Sequence, residues 1–278
     1  MMTHRLICGS KEIILDSTKI MGILNVTPDS FSDGGMFRSV DAAVAYAEQM
    51  VLDGADIIDV GGESTRPGAQ PVSAKEELRR VIPVVEELVK RRISVPISID
   101  TTKPEVAREC LRLGATMLND VSGLGDLLMR KVVCAYNVPV VIMHMKGTPL
   151  TMQSNPQYKD VVSDIAEYLL LRAAMARQAG IRQIIIDPGI GFGKNLNDNL
   201  QIIRGLSRFQ ASYPILIGVS RKGFIGTLTD RPVEERLCGT IAAVTACVLN
   251  GAHIVRVHDV KECKDAVRVA DAIKNGRY

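Results

Sequence analysis

Most short apolar runs of this sequence end in a side chain that can form hydrogen bonds. These residues are Asn25, Asp59, Asp100, Asn119, His144, Asp187, Ser220, and the pair Arg256 and His258. Any single Asp, Asn or Ser could simply cap the helix that follows it. If the runs are parallel strands of one sheet, however, all of these side chains meet at the same end of it. Together they predict a polar binding site there.

Arg256 and His258 are two residues apart at the end of the last apolar run. Alternate residues of a strand point to the same side, so both side chains face one way. The Arg guanidinium matches phosphate oxygens with two parallel hydrogen bonds, and the His ring can donate another. The pair therefore predicts an anionic ligand group; a salt bridge of Arg256 inside the fold is the alternative.

Asp100, Asn119 and Asp187 place two carboxylates and one amide at the ends of three different runs. Carboxylates accept hydrogen bonds, whereas an amide both donates and accepts. This set suits a flat heterocycle that carries several N–H donors and a carbonyl. The two carboxylates could instead act as a general acid and base, or bind a metal.

The glycine-rich segments do not match the familiar nucleotide or nucleophile signatures. DPGIGFGKN (187–195) lacks a first glycine at Pro188 and the Ser or Thr that a P-loop needs at Asn195, and it lacks the third glycine of a dinucleotide-binding loop. GVSRK (218–222) has Lys222 where a nucleophile elbow needs glycine. Ser220 is therefore a poor candidate nucleophile.

Two long polar segments follow the first two runs, NVTPDSFSDGGMF (25–37) and GGESTRPGAQPVS (61–73). Phe31 in the first and Arg66 in the second are side chains unusual in a plain surface loop. Long loops above a binding site commonly close over it, so both segments are predicted lids. Ordinary surface loops are the alternative.

The elements that must position these residues are predicted by a repeated pattern of helix, glycine and apolar run. Gly54, Gly114, Gly180 and Gly251 stand where a left-handed residue ends a helix. The predicted strands are 20–24, 56–60, 96–99, 116–118, 139–143, 183–186, 214–219 and 254–257, with helices such as 40–52, 74–91 and 161–177 between them. Eight such units predict an α/β fold, a (β/α)8 TIM barrel forming a single domain over 1–278. An N-terminal β-hairpin at 5–15 could plug its bottom, and a doubly wound open sheet is the competing fold.

Composition excludes several classes of protein. The 278 residues carry 34 basic and 31 acidic side chains, a net charge of +3 without a basic tract, so no nucleic-acid partner is expected. The longest uncharged stretch, 237–255, contains Gly, Thr, Asn and His and predicts a packed helix and a strand rather than a membrane span. Lys11 and Glu12 interrupt the first apolar residues, so no export signal is expected there. The six cysteines include no CxxC pair, which indicates mostly buried thiols in a cytoplasmic protein without membrane contact.

Eight motifs in this order resemble those of the dihydropteroate synthases, the folate-pathway enzymes that sulfonamides target. They are MGILNVTPDSFSDGG from Met21, DVGGESTRPGA from Asp59, SIDTTKPEVA from Ser98, LNDVSG from Leu118, MHMKGTPLTMQ from Met143, DPGIGFGKN from Asp187, SRKGFIG from Ser220 and RVHDV from Arg256. The resemblance implies a pterin-binding barrel, typically a homodimer. It implies that 6-hydroxymethyl-7,8-dihydropterin diphosphate and 4-aminobenzoate are condensed to 7,8-dihydropteroate and diphosphate with Mg²⁺.

The resemblance also implies roles for individual residues. Asp100, Asn119, Asp187 and Lys222 match the pterin pocket, whereas Asn25, Arg256 and His258 match the residues that handle diphosphate, with Asn25 at its metal. Phe31, Thr65, Arg66, Pro67, Phe192 and Ser220 would surround the aminobenzoate. The expected catalytic set is Asp100, Lys222, Arg256 and His258. A methyltetrahydrofolate-dependent methyltransferase domain and a noncatalytic pterin-binding relative are the alternatives.

Overall fold

The computed structural model describes residues 4–27, 35–209 and 213–276, and for 35–39 it describes the backbone alone. The strands are β1 (His4–Cys8), β2 (Lys11–Leu15), β3 (Lys19–Asn25), β4 (Ile57–Gly61), β5 (Ile97–Asp100), β6 (Met117–Asp120), β7 (Val140–Met143), β8 (Ile184–Asp187), β9 (Leu216–Ile217) and β10 (Ile254–Val257). The α-helices are α1 (Gly35–Leu52), α2 (Ala74–Lys90), α3 (Pro104–Leu113), α4 (Leu127–Tyr136), α5 (Val161–Gln178), α6 (Leu196–Arg204), α7 (Gly223–Thr229), α8 (Leu237–Leu249) and α9 (Val260–Asn275).

Strands β3 to β10 form one parallel sheet in the order β8-β7-β6-β5-β4-β3-β10-β9. A parallel bridge between Ile186 and Ile215 joins the two outer strands, β8 and β9, and closes the sheet into a barrel. Closure confirms the predicted (β/α)8 barrel and rules out the open sheet. Strand β9 is much shorter than the predicted 214–219, because Pro214 has no N–H to donate and the chain turns away after Gly218.

The ends of the helices follow the sequence signals. Gly54 and Gly114 take positive φ values of 103° and 120°, a conformation that favours glycine because it has no Cβ. At the start of α2, the Ser73 hydroxyl accepts a hydrogen bond from the backbone N–H of Glu76. The uncharged stretch 237–255 consists of helix α8 and the start of β10, as predicted. No helix in the described ranges is long and apolar enough to cross a membrane.

The antiparallel hairpin of β1 and β2 covers the amino-terminal end of the barrel. Its buried side chains are those of Leu6, Cys8, Ile13 and Leu15. They pack against one interior residue from each of seven barrel strands: Met21, Ile57, Met117, Val141, Ile185, Leu216 and Ile254. The hairpin therefore plugs this end with an apolar layer, as its position in the sequence predicted.

All six cysteines are free thiols. Four are buried, but Cys134 on α4 and Cys238 on α8 are exposed. Both have mostly apolar neighbours in the sequence, so the sequence pattern did not distinguish them from core residues.

Candidate active site

The polar residues of the barrel lie one layer above the apolar plug. In β4, β6, β8 and β10, each polar residue follows a plug residue by two positions, which keeps it inside the barrel. The pairs are Ile57 with Asp59, Met117 with Asn119, Ile185 with Asp187, and Ile254 with Arg256. The alternation that fills the amino-terminal end with hydrocarbon thus places charge at the carboxyl-terminal end, where active sites of this fold lie.

Arg256 is at the centre of a hydrogen-bonded network in this layer. Its Nε donates to Asp59 Oδ2 at 2.6 Å, and its Nη2 donates to Asp100 Oδ2 at 2.7 Å. Asn119 Nδ2 donates to the same Asp59 oxygen at 2.9 Å. The salt bridge considered as an alternative for Arg256 is therefore formed. It does not exclude anion binding, because a guanidinium has five N–H donors and these two ion pairs use two.

Burial raises the pKa of Asp100, and the charge of Arg256 opposes that shift. Burial also raises the pKa of Asp187 to about 6, although the backbone N–H of Gly189 donates to Asp187 Oδ1 at 2.7 Å and lowers it. Desolvation disfavours the ionised form of a carboxyl group. Both carboxyls are therefore held closer to neutrality than exposed aspartates are.

Lys222 precedes α7 and extends towards the glycine-rich loop after β8. Its Nζ lies 4.1 Å from the centre of the Phe192 ring, a cation–π contact. A Cβ on Gly191 would lie 3.4 Å from Lys222 Cδ, so the side chain runs close along the loop backbone. Burial, together with the positive charge of Arg256, lowers the pKa of Lys222 to about 8. Lys222 is thus charged at neutral pH but close to titration.

Ser220 and His258 are brought together by a pair of hydrogen bonds. Ser220 Oγ lies 3.0 Å from His258 Nδ1 and accepts from the His258 backbone N–H at 3.2 Å. Burial, reinforced by Arg256, lowers the pKa of His258 to about 4, so its ring is neutral at neutral pH. When the Ser220 hydroxyl donates to Nδ1, the ring proton is on Nε2. His258 then presents an N–H donor to a ligand.

The remaining predicted residues lie at the rim. Asn25 ends β3, and Gly61 separates it from Asp100: a Cβ on Gly61 would be 3.9 Å from Asn25 Oδ1 and 3.8 Å from Asp100 Oδ2. Thr65 is half-buried, while Arg66 and Pro67 are exposed in the loop after β4. The positive charge of Arg66 contributes to lowering the pKa values of both Lys222 and His258. Phe31 lies outside the described residues.

Two buried residues of the site received no role from the sequence. Asp59 is completely buried, and its Oδ1 has no hydrogen-bond partner among the described residues. Lys194 is also buried; its Nζ approaches His144 Nδ1 at 2.9 Å and donates to the Phe192 carbonyl at 2.9 Å. The position of Asp59 two residues after the buried Ile57 could have indicated that its side chain points into the barrel. Lys194 could not be found this way because it lies in a loop.

The described residues fit a magnesium ion only if the ligand supplies most of its coordination. No group of three His, Cys, Asp or Glu side chains in the described part of the chain could hold a metal. Asn25 offers one neutral amide oxygen beside the Arg256 network. Mg²⁺ in proteins often has one or two side-chain ligands and takes the rest from substrate phosphates and water. Asn25 is compatible with that arrangement.

Comparison with known proteins identifies the family. Residues 21–258 match the model of the pterin-binding enzymes. The chain is 46% identical to dihydropteroate synthase of Escherichia coli K12 over 99% of both chains. Two structures of dihydropteroate synthase from Xanthomonas albilineans are also similar. The complex with 4-aminobenzoic acid has a TM-score of 0.92 at 45% identity, covering 98% of this chain and 99% of that one. The complex with 7,8-dihydropteroate has a TM-score of 0.88 at 43% identity, with the same coverage. This chain therefore belongs to the dihydropteroate synthase family of pterin-binding enzymes.

Proposed function

We propose that the charged layer of the barrel condenses 6-hydroxymethyl-7,8-dihydropterin diphosphate with 4-aminobenzoate, which yields 7,8-dihydropteroate and diphosphate. The observation that carries this proposal is the network of Arg256 with Asp59, Asp100 and Asn119. It places acceptors for a heterocycle and a donor for an anion within one buried cluster. The reacting methylene carbon of the pterin substrate lies between those two chemical groups.

The pterin ring is assigned to the interior of the barrel. Asp100 and Asp187 accept hydrogen bonds from its amino and ring N–H groups. The side-chain amide of Asn119 can both donate to the ring and accept from it. Asp59 Oδ1, which has no partner among the described residues, is a further buried acceptor, and leaving such an atom without a donor is costly. Lys222 donates to the pterin carbonyl.

The diphosphate is assigned to Arg256, His258 and Asn25. Arg256 retains three N–H donors beyond its two ion pairs, and the Nε2–H of His258 adds a fourth. These donors stabilise the negative charge that develops on the leaving group. When bound, Mg²⁺ would be held by Asn25 and the diphosphate oxygens, and it would neutralise part of the diphosphate charge.

The substitution is dissociative in this proposal. The carbon–oxygen bond to diphosphate breaks first, and the ring nitrogens of the dihydropterin delocalise the resulting cation. The aniline nitrogen of 4-aminobenzoate then attacks the methylene carbon and loses a proton to solvent. The reaction therefore needs no strong enzymic base.

The aminobenzoate is assigned to the space between Phe192, Ser220 and the two lid segments, with Thr65, Arg66 and Pro67 in one and Phe31 in the other. Phe192 is buried beside Lys222 and offers an apolar face to the benzene ring. Arg66 is exposed, and its positive charge acts on Lys222 and His258, so it would favour a carboxylate bound beside them. Closed loops would also keep water from capturing the cation.

We also propose that the enzyme is a homodimer that packs through α8. Along this helix Cys238, Ala242 and Leu249 are exposed at helical spacing, and Ile273 on the neighbouring α9 is 67% exposed. An apolar strip of this kind suits a copy of itself. Sedimentation should give the mass of two chains, and Ala242→Glu should shift the protein to a single chain. A wild-type mass of one chain would refute the dimer.

A cytoplasmic location is proposed from the thiols. The free, exposed Cys134 and Cys238 are typical of a reducing compartment. Cell fractionation tests this directly, and recovery of the protein outside the cytoplasm would contradict it.

The test of the proposed activity is an assay of the purified protein with both substrates and Mg²⁺, followed by detection of 7,8-dihydropteroate. Omission of either substrate is the control for product carried over from purification. We expect 7,8-dihydropteroate and diphosphate to form in equal amounts. Binding of the pterin substrate without product would indicate the noncatalytic relative instead.

A further inference from the structure

Arg221 lies between two residues assigned to substrate, Ser220 and Lys222, and its backbone is left-handed. Its φ is 56°, a conformation that side chains with a Cβ adopt rarely. Residues held in this region persist only where the surrounding structure fixes them, and they are frequent at active sites. The contacts that fix Arg221 therefore have a bearing on the site.

The backbone N–H, the backbone carbonyl and two guanidinium nitrogens of Arg221 all have partners from other parts of the chain. Its backbone N–H donates to Oγ1 of the fully buried Thr240 at 2.9 Å, and its carbonyl accepts from Arg236 Nη1 at 3.1 Å. Its guanidinium donates twice to Asp259, from Nε to Oδ2 at 3.0 Å and from Nη2 to Oδ1 at 2.5 Å. This bidentate ion pair has a defined geometry, unlike a flexible ion pair on the surface.

Asp259 directly follows His258, so the ion pair joins the segment 220–222 to the end of β10. The same two segments are joined again inside the site by the hydrogen bonds between Ser220 and His258. On the β10 side of this junction, the hydroxyl of Tyr46 in α1 donates to the His258 carbonyl at 3.3 Å. The outer ion pair and the inner hydrogen bonds hold the same junction from two sides.

We propose that Arg221 is a positioning residue. Its ion pair with Asp259 maintains the left-handed turn that directs Ser220 to His258 and Lys222 towards Phe192. This inference rests on the proposed roles of Ser220, Lys222 and His258. Arg221 itself does not touch substrate in this account, because its guanidinium is committed to Asp259 on the outer side of the turn.

Three substitutions and one double substitution test this role. Arg221→Gly removes the guanidinium but permits the left-handed backbone, Arg221→Lys keeps the charge without the planar fork, and Asp259→Asn removes the charge of the partner. The double variant combines Arg221→Gly with Asp259→Asn. Steady-state kcat and KM are measured for both substrates, with thermal unfolding of each variant.

The matched control is Arg92→Gly. Arg92 is also an arginine with positive φ, 53°, but it is exposed at the end of α2. A second control, Arg231→Ala, removes an exposed ion pair with Glu235 that lies in the chain segment between α7 and α8. Both controls should leave kcat/KM within about twofold of wild type, because neither residue reaches the site.

We expect Arg221→Gly and Asp259→Asn each to lower kcat/KM by about tenfold or more, since small displacements of reacting groups are costly. The kcat/KM of the double variant should lie within about twofold of that of the less active single variant, because both changes break the same interaction. Arg221→Lys should fall between wild type and Arg221→Gly.

Folded variants with kcat/KM within twofold of wild type would overturn the inference, as would losses that multiply in the double variant. If Arg221→Gly does not fold, Arg221→Lys and Asp259→Asn decide the matter by the same criteria. Failure of the proposed function gives a different result: the wild-type protein itself forms no dihydropteroate.

Discussion

The same strands line the two ends of the barrel interior with side chains of opposite character, apolar at one end and polar at the other. At the amino-terminal end, Met117, Ile185 and Ile254 pack beneath the hairpin as fully or almost fully buried hydrocarbon. Two residues further along those strands, Asn119, Asp187 and Arg256 form the polar layer. A barrel that buried hydrocarbon at both ends would avoid the cost of desolvating these charges. Stability is therefore concentrated at one end of the barrel and chemistry at the other.

The pKa values show the same division. In the plug layer, burial raises the pKa of Cys8 to about 12, so this thiol stays protonated at neutral pH. At the opposite end, Asp187 and Lys222 have pKa values of about 6 and about 8. Groups whose pKa values burial moves towards neutral pH, Asp187 and Lys222 among them, therefore lie at the site.

The largest effect is expected for Met117→Ala, which removes a fully buried side chain from the plug layer. The cavity should lower the free energy of unfolding by about 2–5 kcal/mol. Denaturant unfolding measures this loss, and kcat/KM per folded molecule should stay within about twofold of wild type. A comparable loss of kcat/KM would mean that the two ends are not separate.

Arg256→Ala should lower turnover by about a hundredfold or more, equivalent to about 2.7 kcal/mol, because a principal donor to the leaving group is lost. Arg256→Lys is the matched control, because it keeps a cation beside Asp59 and Asp100. Its turnover should fall less than that of Arg256→Ala. Unfolding curves exclude a general loss of structure. Unchanged turnover in Arg256→Ala would remove this residue from the chemistry.

The pH dependence of kcat/KM should show an alkaline limb set by Lys222. The protonated amine donates to the pterin, and the native protein loses this proton as pH rises through about 8. Activity is therefore present below that pH and falls above it, by about tenfold per pH unit well beyond the pKa. Lys222→Arg stays charged and should lack the limb, so an unchanged limb in that variant would assign it to another group.

The smallest effect is expected for Gly223→Ser, at the first residue of α7. Gly223 is exposed, and no atom of the described residues lies within 4 Å of an added Cβ, so the serine fits among them without strain. Its hydroxyl could add one hydrogen bond to the aminobenzoate carboxylate, about 0.5–1.5 kcal/mol. The KM for 4-aminobenzoate should fall while that for the pterin substrate stays constant. A rise in the first KM alone would refute this assignment.

The sequence predicted the barrel because four of the strands follow a glycine that ends a helix, a local signal that needs no tertiary information. It also predicted Asp100, Asn119, Asp187 and Arg256 as strand-end residues. It could not predict that Arg256 pairs with Asp59 and Asp100, because that contact depends on how β4, β5 and β10 face one another across the closed barrel. The positive φ of Arg221 could not be predicted either, because nothing in the chemistry of arginine favours that conformation.

The division between the two ends is tested most directly on one strand, by Ile185→Ala and Asp187→Asn in β8. Free energy of unfolding and kcat/KM are measured for both variants at pH 7.5, above the pKa of about 6 of Asp187. Ile185→Ala should lose about 2–5 kcal/mol of stability and keep its kcat/KM within about twofold. Asp187→Asn should lose about tenfold or more in kcat/KM and keep or gain stability, because a buried ionised carboxyl is replaced by a neutral amide. The opposite pattern, with Asp187→Asn active but unstable and Ile185→Ala stable but inactive, would contradict the account.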